Sequence, residues 1–220
     1  MKVLAVVPAF REAERIGEVV RGVVQHLPCL VVDDGSDDAT AEAAAQAGAA
    51  VLRHATNLGK GAALRTALDY ARERGYDAVI TLDGDGQHDP ARIPDFLAAA
   101  ARGSDIVVGS RAAWREHGMP WIRRQTNALT SAIISRLART PIADSQCGYR
   151  YISLRAWFAA QPRSSRYDAE SEILIRAGRL GFRIAEVAVP TVYGDEVSKI
   201  RPLAETWRFI RLCVRCALRP

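Results

Sequence analysis

The chain has 220 residues, 49% of them hydrophobic, with 30 lysines and arginines against 25 acids and a formal charge of +5, enough for one large domain or a domain with an appendage. It contains no run of about 18 uncharged apolar residues, so no helix is expected to span a bilayer, and "MKVLAVVPAF" meets charge too early for a secretory signal. Four cysteines without a regular framework (Cys29, Cys147, Cys213, Cys216) are expected as reduced thiols in a cytosolic setting, and Cys213 and Cys216 lack the partners that zinc would need.

Residues 2–7 read as a short buried strand, followed after "PAFRE" by a helix near 13–26. "CLVVDDGS" is a second strand running into a turn, "DATAEAAAQAG" a helix closed by Gly48, and "AAVLRH" a third strand. "GKGAALRTALDYARERG" is a helix closed by Gly75, "YDAVITLD" a fourth strand, "PARIPDFLAAAARG" a helix and "SDIVVGSR" a fifth strand. Apolar strands alternating strictly with helices predict an α/β fold, a mostly parallel sheet flanked by helices on both faces. After residue 112 the alternation stops: "WIRRQTNALTSAIISRLART" predicts a helix, "CGYRYIS" a strand, "YDAESEILIRAGRLG" a helix and "FRIAEVAVPTVY" one or two strands.

Ligands of such sheets bind at the carboxyl ends of the strands, where the strand order reverses. Each of the first five strands ends in a candidate: Pro8 and Glu12, then Asp33 and Asp34, then Asn57 and Lys60, then Asp83 and Asp85, then Arg111. The segment "ITLDGDGQHDP" is the most demanding. Asp89 reads as a helix cap with Pro90 after it, but Asp83 and Asp85 crowd two further carboxylates at the mouth of a buried strand, which is costly unless a cation sits among them. Charge is also unevenly spread: residues 1–101 carry a net −5 and residues 102–183 a net +8. That suits a site holding a cation on one side and phosphates on the other; nucleic-acid binding by the basic half is the rival, and it leaves Asp83 and Asp85 without a use.

The first strand is followed neither by GxGxxG, which disfavours a dinucleotide-binding protein, nor by a P-loop lysine motif. What stands there is "PAFREAERI", then "VVDDGSDDAT", "NLGKGAALRTAL" and "LDGDGQHDP", continued by "DIVVGSR", "RRQTNALTSAI", "ADSQCGYR" and "VPTVYGDEVSKI". Over about residues 3–200 this ordered set resembles the family 2 glycosyltransferases with a GT-A fold, and within them the dolichyl-phosphate mannosyltransferase-like, polyprenyl-phosphate branch. The resemblance implies Mg²⁺ or Mn²⁺ held by Asp83, Asp85 and Gln87, bridging the diphosphate of a nucleotide sugar. It places Pro8, Ala9, Glu12 and Asp33 at the nucleobase and extends the nucleotide-sugar site through Asp34, Lys60, Gly84, Ser198 and Lys199. Arg111, Arg123 and Arg124 fall where phosphates arrive, Arg111 and Arg124 being the strongest candidates, and guanidinium suits phosphate oxygens.

Two residues keep alternatives open. Asp144 either acts as a general base or orients the acceptor or an arginine, and Lys60 either holds the nucleotide or is a solvated surface lysine. Asp37 or Asp38 with Thr40 could simply cap the next helix. The implied reaction is inverting transfer of a sugar to a polyprenyl phosphate; a family 2 transferase with a soluble or protein acceptor is the alternative. The QxxRW signature of processive members is missing, Gln146 being followed by Cys147-Gly148-Tyr149. Residues 1–200 are expected as the catalytic domain and 201–220 as an amphipathic helix, with Arg208, Arg211, Arg215 and Arg219 on one stripe and Leu203, Trp207, Ile210, Val214 and Ala217 on an apolar arc. Such a helix either packs on the domain with a wet face or, as its arginines and tryptophan suit, lies on an anionic membrane surface, which would put the enzyme peripherally on the cytoplasmic face.

Overall fold

Seven apolar segments pair into a single sheet in the computed structural model, which describes residues 1–111, 121–166, 168–190 and 202–218. The strands are β1 (Val3–Ala9), β2 (Cys29–Asp33), β3 (Ala50–Arg53), β4 (Ala78–Thr81), β5 (Ile106–Ser110), β6 (Arg150–Ser153) and β7 (Ile184–Ala188), ordered β3-β2-β1-β4-β6-β5-β7. Every pairing is parallel except those of β6, which runs antiparallel between β4 and β5. The inner strands β1, β2, β4 and β5 are almost wholly buried, as their Val, Leu and Ile runs require of strands covered on two faces. β3 and β7 are half-exposed and carry Arg53 and Glu186, which suits the edge positions they occupy.

Helices cover both faces in two groups. α1 (Ile16–Val23), α2 (Thr40–Gln46), the 3₁₀ turn Pro90–Arg92 and α4 (Ile93–Ala101) contact one another in sequence. The second group is α3 (Lys60–Glu73), α5 (Trp121–Ala138), α6 (Leu154–Ala160), α7 (Asp168–Arg179) and α8 (Pro202–Leu218), with α7 touching each of the other four. Leu30, Ile80 and Ile106 in the sheet and Leu64, Leu68, Ile93 and Phe96 from the helices above and below are fully buried, each such side chain contributing roughly 1.5–3 kcal/mol.

The structure departs from the sequence reading at identifiable points. α1 starts at Ile16 rather than near residue 13, because Arg11 takes φ 57° and the Arg15 and Ile16 amides both turn back to the Glu12 carbonyl. α6 was not anticipated; it starts where Ser153 caps the Ala156 amide. Residues 182–193 hold one described strand, β7, with 191–193 outside the described residues. Asp89 caps the 3₁₀ turn by accepting from the Ala91 amide, with Pro90 next to it, as expected.

The carboxyl ends of the six mutually parallel strands lie along one edge. β1 is followed leftward by β2 and β3, while β4 and everything after it lies to the right, so the order reverses between β1 and β4. The crevice between those two strand ends is where such sheets take ligands.

Candidate active site

The left wall of the crevice is built on Asp33, the last residue of β2, paired in register with Ala9 of β1. Asp33 is fully buried. Its Oδ1 accepts from the Ser36 amide at 3.0 Å, whereas Oδ2 lies 3.2 Å from Arg53 Nε without a hydrogen bond. A buried carboxylate oxygen without a hydrogen bond is unusual; its ion-pair partner Arg53 lines an open cleft of about 390 Å³ together with Gly35, Ser36, His54 and Ala55. Arg53, which also donates to the Ser36 carbonyl at 2.6 Å, was not singled out from the sequence. Pro8 and Ala9 form the end of β1, and Ala9, Glu12 and Ile16 pack where a Cβ on Gly84 would stand, 3.4–3.5 Å away.

Asp34 occupies the same strand end, but its side chain turns to the protein. It accepts from the Leu58 and Gly59 amides at 3.0 and 2.7 Å and pairs with His54 Nδ1 at 2.7 Å, while His54 Nε2 reaches Thr66 at 2.9 Å. Asp34 thereby fixes the loop that launches α3. Gly59 has φ 99°, and a Cβ there would stand 2.7 Å from the Ser165 carbonyl oxygen, so conformation and space both demand glycine. Of the acids before α2, Asp38 accepts from the Thr40 amide and hydroxyl at the start of the helix, while Asp37 pairs with Arg11 on the surface.

Lys60, the first residue of α3, is no solvated lysine. Its ammonium lies 2.5 Å from Asp83 Oδ1 and 3.0 Å from Glu170 Oε2, and its side chain is 14% exposed. Burial alone would raise the Asp83 carboxyl, but the charges of Lys60, His88 and Arg150 hold it well below the usual carboxylate range. His88 accepts from the Asp83 amide at 3.1 Å through Nδ1, and burial pushes its ring toward the neutral form against the pull of Asp83. Asp85 is half-buried and accepts from the Gln87 amide at 3.0 Å, across Gly86 at φ 78°.

This donor set fits a hard dication. Asp83 and Asp85 present carboxylate oxygens, a cation already sits 2.5 Å from Asp83, and a Cβ on Gly148 would stand 2.7 Å from Asp83 Oδ2, so the space beside the carboxylate depends on glycine. Among the described residues no three His, Cys, Asp or Glu side chains converge as a metal cage. Two carboxylates with ligand phosphate and water oxygens suit magnesium-like ions better than an all-protein shell does.

The right wall is a fork. Arg111, just past β5, donates from Nε to Asp144 Oδ2 at 2.7 Å and from its second amino nitrogen to Oδ1 at 3.0 Å, while its backbone amide gives Oδ2 a third bond at 3.1 Å. The Gln146 amide adds a fourth at 3.2 Å. Burial would raise the Asp144 carboxyl, yet Arg111 and these amides hold it down. A carboxylate so fully engaged is a poor proton acceptor, and the geometry favours the arginine-orienting reading of Asp144 over the general base. Arg111 is close enough for its charge to act on His88 and on the buried Cys147, whose thiol burial pushes up to about 12.

Arg124 sits half-buried in the first turn of α5 and forms no ion pair among the described residues. Ser198 and Lys199 lie outside the described residues, as does the Arg123 side chain. Sequence reasoning also missed Arg150, which is 1% exposed and ties the Ser145 and Cys147 carbonyls to that of Glu170. An equal-sized depression between α3 and α6 lies away from these groups; its Arg65 is committed to the Pro162 and Ser164 carbonyls.

The Arg111–Asp144 pair carries a pH signature. A carboxyl depressed in the folded state stabilises fully above its unfolded value, about pH 3.9, and that stability is lost as pH falls through the lower folded value. Replacing Asp144 by asparagine should therefore lower Tm at pH 7 but flatten its fall below pH 4. Thermal melts from pH 2 to 7 check this, and parallel curves for the two proteins would contradict it.

α8 turns Leu212 and Cys216 to the body and leaves Trp207, Ile210, Val214 and Leu218 exposed in one stripe. Arg215, expected on the wet face, stays 41% exposed but reaches the body, 3.2 Å from the buried Glu172 and 2.9 Å from Ser164 Oγ. The arginine stripe is thus divided, and the apolar face looks outward. Arg219 and the Leu203 side chain lie outside the described residues. Among the described residues no helix is long and apolar enough to cross a membrane.

Residues 4–157 match the family model for glycosyl transferase family 2. The chain belongs to that family. This family 2 transferase is 32% identical over 205 residues to the undecaprenyl-phosphate mannosyltransferase of Micrococcus luteus, covering 87% of this chain and 84% of that one. It is also 32% identical over 214 residues to the UDP-N-acetylglucosamine–dolichyl-phosphate N-acetylglucosaminyltransferase of Methanococcus voltae, with 86% and 85% coverage. Among solved structures, the transferase resembles glucosyl-3-phosphoglycerate synthase of Mycobacterium tuberculosis, crystallised with Mn²⁺, UDP and glucosyl-3-phosphoglycerate. The TM-score is 0.73 at 22% identity, with 99% of this chain and 78% of that one covered. That likeness bears out the GT-A fold.

Proposed function

We propose that the chain transfers a sugar, with inversion, from a nucleoside diphosphate to a polyprenyl phosphate at a membrane surface on the cytoplasmic side. The observation that carries the reading is that the Asp83–Asp85 pair, the Asp33 carboxylate beside Arg53 and the Asp144-braced guanidinium of Arg111 all stand at or just past the carboxyl ends of strands along one edge of the sheet. Asp33 receives a base N–H. Asp83 and Asp85, with Gln87 beside them, would hold Mg²⁺ or Mn²⁺, which when bound neutralises charge on the departing diphosphate. Arg111 stabilises the same charge from the other side, already oriented before substrate arrives. The acceptor phosphate, with a second pKa of about 6, is ionised at neutral pH and needs no strong base, in keeping with an Asp144 that is fully engaged. Relatives named for undecaprenyl and dolichyl phosphates support the acceptor class, and the outward apolar stripe of α8 supports approach to lipid.

Calorimetry with UDP and GDP, each with Mn²⁺ or with EDTA, tests the donor; one nucleotide should bind, and only with metal. Transfer from the matching labelled nucleotide sugar to a short-chain polyprenyl phosphate should carry label into the organic phase. Anionic vesicles should sediment the protein, and Trp207→Asp with Val214→Asp should release it. Label found only on water-soluble phosphorylated acceptors would replace the lipid acceptor with a soluble one; no nucleotide binding at all would remove the transferase chemistry from this site.

A further inference from the structure

Lys60 stands between two acids that belong to different parts of the fold. Asp83 follows β4 at the centre of the sheet, and Glu170 lies in the first turn of α7. The ammonium is closer to Asp83, at 2.5 Å, than to Glu170, at 3.0 Å. Glu170 is itself 13% exposed, and its second oxygen, Oε1, is buried without a hydrogen-bond partner. An ammonium has three donors and a carboxylate about four acceptor positions, so Glu170 has acceptor capacity that Lys60 does not use in this arrangement. Its backbone is held as well, since the Glu170 carbonyl accepts from Arg150.

A dication arriving at Asp83 and Asp85 would put two positive charges beside the ammonium, in a site where poor hydration makes repulsion strong. Lys60 cannot stay on Asp83 as it is, and leaving for water would uncover a buried carboxylate on Glu170. A short move toward Glu170 meets both conditions. We propose that Lys60 is a resident counter-cation that keeps the Asp83 carboxylate in place before metal binds, and that Glu170 receives its ammonium when metal binds. Glu170 is thereby a positioning residue that sets metal affinity without touching the metal. This inference rests on the metal-binding reading of Asp83 and Asp85.

The test is Mn²⁺ titration of the intact chain without nucleotide, followed by electron paramagnetic resonance of the free ion. With Glu170→Gln the ammonium has one strong partner left and competes harder for Asp83, so Mn²⁺ affinity should fall about tenfold, close to 1.4 kcal/mol. Adding Lys60→Met to that variant removes the competitor, and affinity should return to the wild-type value or exceed it. A packing role for Glu170 predicts the opposite, a double variant at least as weak as the single one, and circular dichroism melts establish that each protein is folded. Wild-type affinity in Glu170→Gln, or no recovery in the double variant, overturns the inference alone. Failure of the wild type to bind Mn²⁺ overturns the metal reading and the inference together.

Discussion

Replacing Asp85 by asparagine should lower the rate of sugar transfer by about a thousandfold, roughly 4 kcal/mol of barrier, and abolish detectable Mn²⁺ binding. The substitution is chosen because it spares the local fold. The carboxylate accepts one hydrogen bond from the Gln87 amide, which an asparagine carbonyl can also accept, so the turn through Gly86 keeps its shape. What disappears is a formal charge whose carboxylate is ion-paired with no cation among the described residues, unlike Asp83 with Lys60. Turnover at saturating nucleotide sugar and a Mn²⁺ titration measure the two effects. If the variant keeps a tenth of wild-type turnover, the Asp83–Asp85 pair is not the metal site.

The second large effect is expected from Gly148→Ala, a change of one methyl group. The new Cβ would stand 2.7 and 3.0 Å from the two Asp83 carboxylate oxygens and 2.8 Å from Lys60 Nζ. All three are ends of side chains and can give way, and φ at this position is not in the left-handed region, so stability should change by less than about 1 kcal/mol. The carboxylate, however, has to shift by several tenths of an ångström or more, and a displacement of about 1 Å at a reacting centre costs on the order of a hundredfold. The expected protein melts like wild type and turns over about a hundred times more slowly, with weakened Mn²⁺ binding. Normal kinetics in a folded variant would mean that Asp83 does not need its present position.

The first half of the fold was legible because it is written locally. Apolar runs ending in Asp33, Asp83 or Arg111 identify both a buried strand and the group at its carboxyl end, and parallel pairing then sets those groups along one edge of the sheet. Partners drawn from distant segments were not legible. Glu170 sits in a helix of mixed charge and reads as a solvated acid; only the tertiary fold brings it to Lys60, 110 positions earlier. Arg150 reads as a charge inside a strand, yet it is buried because three carbonyls need its donors. α8 shows the limit of amphipathic patterning. Periodicity found its two faces, but it could not show that Arg215 pairs with the buried Glu172 or that Trp207, Ile210, Val214 and Leu218 face solvent. The loop-fastening bonds of Asp34, which the resemblance places in the nucleotide-sugar site beside Asp33, were not legible either, since the Leu58 and Gly59 amides that it accepts from lie 24 and 25 positions later.

The antiparallel strand β6, set between β4 and β5, also sets an order of assembly during synthesis. β1 to β4 find their neighbours among residues already made, but β5 pairs only with β6 and β7, both later in the chain. When Ser110 leaves the ribosome, one side of β4 and both sides of β5 have no strand to bond. Residues 111–149 must be added before β6 can bridge them, roughly 2 to 8 s at about 5–20 residues per second. A four-stranded parallel sheet formed in that interval would leave a hydrophobic edge open, and the edge is β4, the strand that leads into Asp83 and Asp85.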